Sequence, residues 1–324
     1  MRSLRRFLSR WQNWLGLLIV GVFIIVAIAA PALSPQDPKN PGFIKVIGNA
    51  LDYSPHPPSQ AAPLGTLSKQ VSVYHALVWG TRSAVIFGLA VVVFALLIGV
   101  LVGLIAAYFG GFLQNFLMRF TDSILAFPLI AGVVLINQLV TILLQNAGLF
   151  YLSNGLGGVL TVLTAAGQIS KNLPFWVVAL QKIDPILIAF ILFSWMPYAR
   201  IMNTTVTRLM NTEYIEAARV IGARNSRIIF RHLLPNAISP AIVLAAKDVG
   251  GMVLLQATFT FIGLGGDSPW GMLLAKGRDW IISAGGILTY WWVFLPATLA
   301  LVLFGIGWNI IGDGLNDVLN PRAN

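Results

Sequence analysis

Long apolar stretches without charged residues recur along the chain and are separated by short polar segments. Residues 14–33 form an uncharged stretch of 20 residues, and residues 83–109 form another of 27. A helix needs roughly 20 apolar residues to cross about 30 Å of hydrocarbon. Both stretches therefore predict membrane-spanning helices.

Four further spans follow from longer or interrupted stretches. No charge occurs for 48 residues after Asp122, which is too long for one helix. We predict a span over about residues 123–140 and then an irregular insert, 141–182, whose weakly apolar part, 157–166, is typical of a re-entrant or interfacial helix. The remaining spans are predicted over residues 184–205, 236–266 and within 280–312.

Composition agrees with this pattern, since 57% of the residues are hydrophobic, 10% are charged and the mean hydropathy is +0.81. Soluble domains carry about 25% charged residues, so we predict an all-α membrane protein with six transmembrane helices. The net charge of +10 does not indicate a nucleic-acid partner, because the 21 Lys and Arg residues are scattered singly between apolar stretches. The absence of Cys excludes thiolate chemistry and Cys-based zinc sites.

Basic residues set the predicted orientation. With the amino terminus inside, twelve Lys and Arg residues fall on inner segments and eight on outer ones, with a dense group over residues 208–231. Basic residues favour the cytoplasmic side, so we predict that both termini are cytoplasmic. The predicted units are an N-terminal span with an outer Pro-rich loop, 1–75, and a core, 76–322. A cleaved signal peptide is the alternative for the first stretch, although its apolar region is too long for one.

Ionisable residues within a span are expensive, each by roughly 2.5 to 3.5 kcal/mol at the bilayer centre. Lys247 and Asp248 lie about ten residues into the fifth predicted span. We predict that they face protein or a water-filled path. The alternative is a position nearer the interface, with Lys247 snorkelling inward and Asp248 facing an adjacent helix. Arg119 and Asp122, spaced i to i+3, predict a local ion pair.

Motifs for catalysis are missing from the sequence. No segment reads G-x-x-x-x-G-K-[ST], so the chain lacks the phosphate-binding loop that ATP hydrolysis requires. The three histidines, His56, His75 and His232, are far apart and no H-E-x-x-H occurs, so neither a metal site nor another cofactor is predicted. We predict no catalytic residues and no enzymatic activity for this chain alone.

Two short helices are predicted between the fourth and fifth spans, within NTEYIEAARVIGARNSRIIFRHLLPN. Thr212 is placed to cap the first helix, and Gly222 is placed to end it in the left-handed conformation, because glycine has no Cβ. Asn225 or Ser226 can cap the second helix, and Pro235 closes it or begins the next span.

The first of these short helices presents small side chains, those of Ala217, Ala218 and Gly222, flanked by charges. Small side chains let another backbone approach closely, as a helix needs if it docks into a groove on a soluble partner and transmits a push. The alternative is a loop helix that rests on lipid headgroups through its Arg residues. Periodicity alone leaves both open.

Several motifs in this region and beyond resemble a known family. Glu216-Ala217-Ala218, then Gly222, then Leu234-Pro235 look like the EAA loop of ABC-importer permeases. Further segments are similar to the dipeptide/oligopeptide/nickel permease family, and to its C-type subunit in particular. They are TDSILAFP at 121–128, YAR at 198–200, FIGLG at 261–265, WG at 270–271, GRD at 277–279 and GDGL at 312–315.

This resemblance implies a type I ABC-importer permease fold in a bacterial cell membrane, with di- or oligopeptides as cargo. It also implies a second permease subunit that forms a heterodimer, two ATP-binding cassette ATPase subunits, an extracytoplasmic solute-binding protein and membrane lipid as partners. ATP hydrolysis belongs to the ATPase subunits in such a complex. Their closure would move the coupling loop, residues 207–235, and give alternating access to a central path.

The resemblance carries over to individual residues of this chain. Gln256 stands where the family tends to place an acidic residue in the fifth span, and together with Lys247 and Asp248 it is assigned to the translocation path. The coupling residues implied are Glu216, Ala217, Ala218, Gly222, Ala223, Leu234 and Pro235.

Departures from the family pattern leave the cargo open. Residues 63–66, PLGT, begin the family's outer G-T-D-x-x-G-R-D segment, but residues 67–73 lack both Asp residues and the Arg. The insert 141–182 is longer than usual, and His232 stands where Ile is common. Nickel complexes and oligosaccharides are the alternatives within this class of importer. A self-sufficient channel or ion-coupled porter is the alternative from another class.

Overall fold

The computed structural model describes residues 7–37, 42–146, 184–281 and 289–319, which are mainly helical. An antiparallel hairpin of β1 (Thr66–Leu67) and β2 (Val71–Ser72) precedes the second long helix. The helices are α1 (Trp11–Leu33), α2 (Val73–Phe109), α3 (Gly111–Leu125), α4 (Leu129–Asn146), α5 (Pro185–Ser194), α6 (Met196–Met210), α7 (Glu213–Val220), α8 (Asn225–Arg227), α9 (Leu234–Ala237), α10 (Ser239–Ile262), α11 (Pro269–Ile281) and α12 (Trp291–Leu319). A π-helical segment, Ile228–Leu233, connects α8 to α9.

Five helical stretches among the described residues are long and apolar enough to cross a membrane. They are α1, α2, α5 with α6 as Pro185–Met210, α10 and α12. The pair Gly111–Leu125 and Leu129–Leu139 passes the same test together but is bent by 93°, so the number becomes six if this pair is one span. The prediction of an all-α membrane protein is confirmed, and six spans are reached only through the bent pair.

The third predicted span, over about residues 123–140, is wrong as a single helix. Its first residues belong to α3, and α4 begins only at Leu129. Pro128 explains the break, because proline disfavours helical conformation in the residue before it and has no N–H to donate. α4 then continues to Asn146, into the start of the predicted insert 141–182. The rest of that insert, with its predicted re-entrant part, lies outside the described residues.

Two other helices, α2 and α12, have bounds that differ from those of the predicted spans. α2 begins at Val73, ten residues earlier than predicted, since the Ser72 hydroxyl accepts the His75 N–H at 3.2 Å. The predicted domain boundary therefore falls in the first turn of α2. The last span begins at Trp291, inside the predicted range 280–312, but its helix continues beyond that range to Leu319.

Two glycines spaced i to i+4 bring α2 and α6 close together. A Cβ at Gly99 would lie 2.4 Å from the carbonyl oxygen of Trp195, and a Cβ at Gly103 would lie 2.3 Å from that of Ala199. Small residues at this spacing let membrane helices approach to backbone distance. The contact lies beside Tyr198 of α6, which is fully buried.

α10 and α12 run antiparallel. Gly312 of α12 lies against Lys247 near the start of α10, and Gly305 lies against Gly250 about one turn further along α10. The end of α12 therefore lies beside the start of α10 and the short helices that precede it.

The start of α1 lies at this same end of the bundle. Arg10, just before α1, forms an ion pair with Asp317 near the end of α12. Both described ends of the chain thus lie together with α7, α8 and α9, as the even number of predicted spans requires. That this end is the cytoplasmic one stays a prediction.

The β1–β2 hairpin packs at the opposite end of the bundle. Leu67 and Val71 are 0% and 1% exposed and belong to an apolar cluster with Trp292 and Val293 of α12. Leu67 and Val71 lie within residues 67–73, where the permease family that the sequence resembles carries Asp and Arg. In this chain that segment is part of the core.

Asp184 caps α5 with a half-buried carboxyl group. Its Oδ1 atom accepts the Ile186 N–H at 3.0 Å. Burial raises the pKa of this carboxyl to about 6; the Ile186 N–H works against the shift and the Asp267 carboxylate adds to it. The unfolded pKa is about 3.9, so ionisation destabilises the fold as pH rises from about 4 to about 6, and the penalty is complete above that window.

Asp184→Asn is expected to raise the melting temperature at pH 7.5 by a few degrees, because the amide keeps the cap acceptor and removes a half-buried charge that costs roughly 1 to 3 kcal/mol. The difference from wild type should shrink as pH falls from about 6 to about 4. Thermal unfolding in mild detergent measures it, with Asp279→Asn at an exposed carboxyl as the control. If Asp184→Asn changes the melting temperature by the same amount at every pH, ionisation of Asp184 is not what destabilises the fold.

Candidate functional site

α7 is a short amphipathic helix that carries the predicted coupling residues. Ile215 and Ala218 point into the core, at 0% and 7% exposed, whereas Glu216 and Ala217 are exposed. Thr212 precedes the helix, but its hydroxyl donates to the Leu209 carbonyl at 2.5 Å and makes no side-chain cap. Thr212 therefore occupies the predicted cap position, but its side chain does not cap the helix.

Ala218 is only 7% exposed, but it also lines the groove between α7 and the π-helical segment, so its contact with a partner stays a prediction. Its side chain also packs in the core cluster and helps to hold α7 against the bundle. Ala223 is half-buried and packs against the same core. Of the predicted coupling residues, Glu216, Ala217, Gly222 and Pro235 are exposed.

Gly222 ends the first short helix in the left-handed conformation, as predicted, with φ +76°. The Ala223 N–H donates to the Ala218 carbonyl at 3.0 Å, which closes the helix end. A Cβ on Gly222 would meet nothing within 4 Å. The residue is therefore required by the backbone conformation, and the space beside it is open to another molecule.

The second short helix differs from the prediction. Arg224 occupies the cap position, and both Asn225 and Ser226 lie inside α8. The chain then widens into the π-helical segment and continues through α9 to α10. Pro235 explains the widening, because it has no N–H to donate to the carbonyl of Arg231 one helical turn earlier.

Leu234 and Pro235 lie within this helical connection. Leu234 packs against the core, whereas Pro235 is exposed. Helical hydrogen bonds continue past them, since the Ile238 N–H donates to Leu234 and the Ile242 N–H donates to Ile238, at 3.1 and 3.0 Å. The second short helix is therefore joined directly to the span formed by α10.

Exposed apolar side chains beside Gly222 were missed by the sequence analysis. Val220 and Ile221 are 86% and 83% exposed, and Phe230 is 65% exposed. A groove of about 1150 Å³ runs between α7 and the π-helical segment. We call it the α7 groove; its lining includes Tyr214, Ala217, Ile221, Gly222, Phe230 and Arg231. The signal that could have found it is the position of Val220 and Ile221 off the inward face of Ile215 and Ala218.

The three residues assigned to the translocation path do not form one site. The Lys247 Nζ atom lies 2.6 Å from Asp313 Oδ1 of α12, and the Tyr198 hydroxyl of α6 donates to Asp248 Oδ2 at 2.7 Å. Gln256 is 3% exposed and lies about 12 Å further along α10. Both ionisable residues therefore have partners on neighbouring helices, and whether they line a path stays a prediction.

Asp122 also has a partner on another helix. Its Oδ1 atom lies 2.6 Å from Arg200 Nη2 of α6. The predicted pair of Asp122 with Arg119 is therefore replaced by a bridge between α3 and α6. Among the residues that the structure describes, no group of three or more His, Asp or Glu side chains is arranged to hold a metal ion.

Two family comparisons match most of the chain. Residues 99–324 match the family of binding-protein-dependent transport system inner membrane components. The chain belongs to this family of permeases. Residues 1–58 match the N-terminal transmembrane domain of oligopeptide transport permease C. The predictions of an ABC-importer permease, an all-α fold and a multi-pass protein of the inner membrane are confirmed.

Similar permeases cover nearly the whole chain. The chain is 31% identical over 312 residues to the dipeptide transport system permease protein DppC of Alkalihalophilus pseudofirmus, covering 95% of this chain and 84% of that protein. It is 28% identical to the oligopeptide transport system permease protein OppC of Bacillus subtilis, with coverages of 99% and 88%. It is 28% identical to the glutathione transport system permease protein GsiD of Pectobacterium atrosepticum, with coverages of 98% and 89%.

Proposed function

We propose that this permease is the C-type subunit of an ATP-driven importer of di- or oligopeptides, and that α7 couples ATPase closure to its membrane helices. The names of similar permeases support the cargo, since they specify dipeptides, oligopeptides and glutathione. The missing phosphate-binding loop supports ATP hydrolysis on separate subunits. The partners are a second permease, two ATPase subunits, an extracytoplasmic solute-binding protein and lipid.

The observation that carries the coupling role is the bare apolar surface beside Gly222. Full burial of an aliphatic side chain stabilises by roughly 1.5 to 3 kcal/mol, yet Val220 and Ile221 are almost fully exposed. Exposed apolar surface next to a groove is typical of a protein contact. An ATPase subunit that covers this surface would recover that free energy and hold α7 at the open side of Gly222.

The connection from α7 to the membrane supports transmission of a push. α7 is anchored to the core through Ile215 and Ala218. Beyond Gly222, a helical path runs from Asn225 through the π-helical segment into α10. Because both ends of the loop are packed, a displacement at Gly222 moves α10 with it instead of being absorbed by loose chain.

The charge distribution supports a cytoplasmic position for α7. Arg224, Arg227 and Arg231 line the α7 groove, and such basic residues favour the cytoplasmic side. Both described ends of the chain lie at this end of the bundle, so both termini would be cytoplasmic as well. The solute-binding protein would then meet the opposite end, near the β1–β2 hairpin.

Purification of the tagged chain from its native membrane in mild detergent tests the assembly. We expect a second permease and two ATPases to co-purify, together with a solute-binding protein when peptide is present. Reconstitution of the complex in proteoliposomes should then give ATP-dependent uptake of labelled peptides. The matched controls are liposomes without ATP and liposomes that carry a Walker-motif variant of the ATPases.

Competing cargoes are compared in the same liposomes. Uptake of a labelled nickel complex or an oligosaccharide in place of peptides would overturn the peptide assignment. A chain that purifies alone under conditions that preserve other complexes, and that moves solute with an ion gradient, would overturn the importer assignment in favour of a self-sufficient porter.

A further inference from the structure

Side-chain bridges join five helices of the bundle in a row. Each bridge connects a different pair of helices, and each places an acidic side chain against a basic or hydroxyl partner. They are Asp122 with Arg200 (α3 to α6), Tyr198 with Asp248 (α6 to α10), Lys247 with Asp313 (α10 to α12) and Asp317 with Arg10 (α12 to the start of α1).

The two central bridges start from adjacent residues of α10. Successive residues of an α-helix point about 100° apart, so Asp248 reaches α6 while Lys247 reaches α12. α6 and α10 are the helices that flank the coupling loop in the sequence. The Tyr198–Asp248 bridge therefore closes the loop and its two helices into one unit. The Lys247–Asp313 pair is the link from that unit to α12.

The backbone of α12 comes close to the Lys247 side chain at Gly312. A Cβ at Gly312 would lie 2.4 Å from Cγ of Lys247. Any side chain at this position would displace the lysine stem and carry its ammonium group away from Asp313. Gly312 thus leaves room for the aliphatic stem of Lys247, and Asp313 supplies the carboxylate that pairs with its ammonium group.

Stability alone does not account for this pair. The Lys247 and Asp313 side chains are 38% and 65% exposed, and ion pairs with that exposure contribute little to folding free energy. A lysine within a membrane-spanning helix is also unfavourable relative to an apolar residue. A role in relative helix position explains its presence better than a contribution to folding.

We propose that Lys247 is a positioning residue that passes the movement of the coupling loop from α10 to α12 through its ion pair with Asp313. The inference rests on the proposed coupling function. Tyr198 and Asp248 keep α6 and α10 moving together, and Lys247 makes α12 follow. Without this pair the ATPases still close on α7, but α12 does not move together with α10. Less peptide is then transported for each ATP hydrolysed.

Charge exchange in the complete reconstituted complex tests this proposal. The variants are Lys247→Asp, Asp313→Lys and the double exchange, and the readout is peptide transported per ATP hydrolysed. Each single variant is expected to lower this ratio at least fivefold with the ATPases still bound, because two like charges then face each other. The double exchange is expected to restore the ratio to within twofold of wild type.

Two further variants distinguish loss of the Lys247–Asp313 ion pair from general effects on folding or assembly. Lys247→Met keeps an apolar stem without the charge, and it is expected to lower the ratio with no loss of assembled complex. The matched control is the exchange at Arg10 and Asp317, an interhelical pair of α12 that is not on the route from the loop, and its ratio should stay unchanged.

Single variants with wild-type ratios would overturn the proposal. So would low ratios that persist in the double exchange, since they would show that the charges act separately, as in a cargo path. Failure of the proposed function looks different, because wild type itself would then show no ATP-driven uptake, and the inference would fall with it.

Discussion

Replacing Gly222 by aspartate is expected to lower ATP-driven uptake at least tenfold and to release the ATPase subunits during purification. The residue has φ +76° and an open space beside it. A carboxylate there would stand in the apolar contact that Val220 and Ile221 are proposed to make, and it would lose hydration when the partner closes. A tenfold loss corresponds to only about 1.4 kcal/mol of coupling free energy, which one misplaced charge readily exceeds.

Gly48→Asp is the matched control for this substitution. Gly48 also has a positive φ, +98°, and a Cβ there would meet nothing within 4 Å. Backbone strain is therefore similar, but Gly48 lies in the segment before the hairpin, away from α7. Wild-type uptake and ATPase retention in Gly222→Asp would contradict the docking role of this surface. Equal release of the ATPase subunits from both variants would show that strain, not docking, is responsible.

Replacing Gly103 by leucine is expected to remove most of the folded protein from the membrane. Its Cβ would lie 2.3 Å from the carbonyl oxygen of Ala199, and backbone cannot yield as a flexible side chain can. α2 and α6 would have to separate along the contact that also includes Gly99. Overpacking of a rigid contact costs typically 1–3 kcal/mol or more, which is a large part of the stability of most proteins.

Gly21→Leu is the control for the added apolar volume. Gly21 lies inside α1, and a Cβ there would meet nothing within 4 Å. Fluorescence-detected size-exclusion chromatography of tagged variants measures the amount of monodisperse protein. We expect less than about a tenth of the wild-type peak for Gly103→Leu and a near-normal peak for Gly21→Leu. A normal peak for Gly103→Leu would show that the two helices can separate without loss of the fold.

Much of the helical pattern was predictable because the bilayer demands long apolar stretches. α1 and α2 follow from uncharged runs, and α10 follows from an apolar run that only Lys247 and Asp248 interrupt. Gly222 at a helix end follows from the conformational freedom of glycine. The 93° bend at Pro128 was missed because a continuous uncharged run hides the break. Hydropathy records the length of an apolar stretch but not its direction.

The partners of charged residues were harder to predict than their presence. Lys247 and Asp313 are far apart in sequence, so no local spacing indicates that they meet. Asp122 has Arg119 at helical spacing but pairs with Arg200 on another helix. The inward turn of Ala218 depends on how α7 packs against the bundle. These outcomes are set by tertiary packing, on which a single sequence carries little information.

Val220 and Ile221 also have a consequence for the supply of the subunit in the cell. If ATPase subunits cover these side chains as proposed, a copy of the permease without them keeps an exposed apolar patch in water. Such patches attract chaperones and proteases, which act on surplus chains. We therefore expect the abundance of the permease to follow that of the ATPases, because degradation would remove the surplus copies.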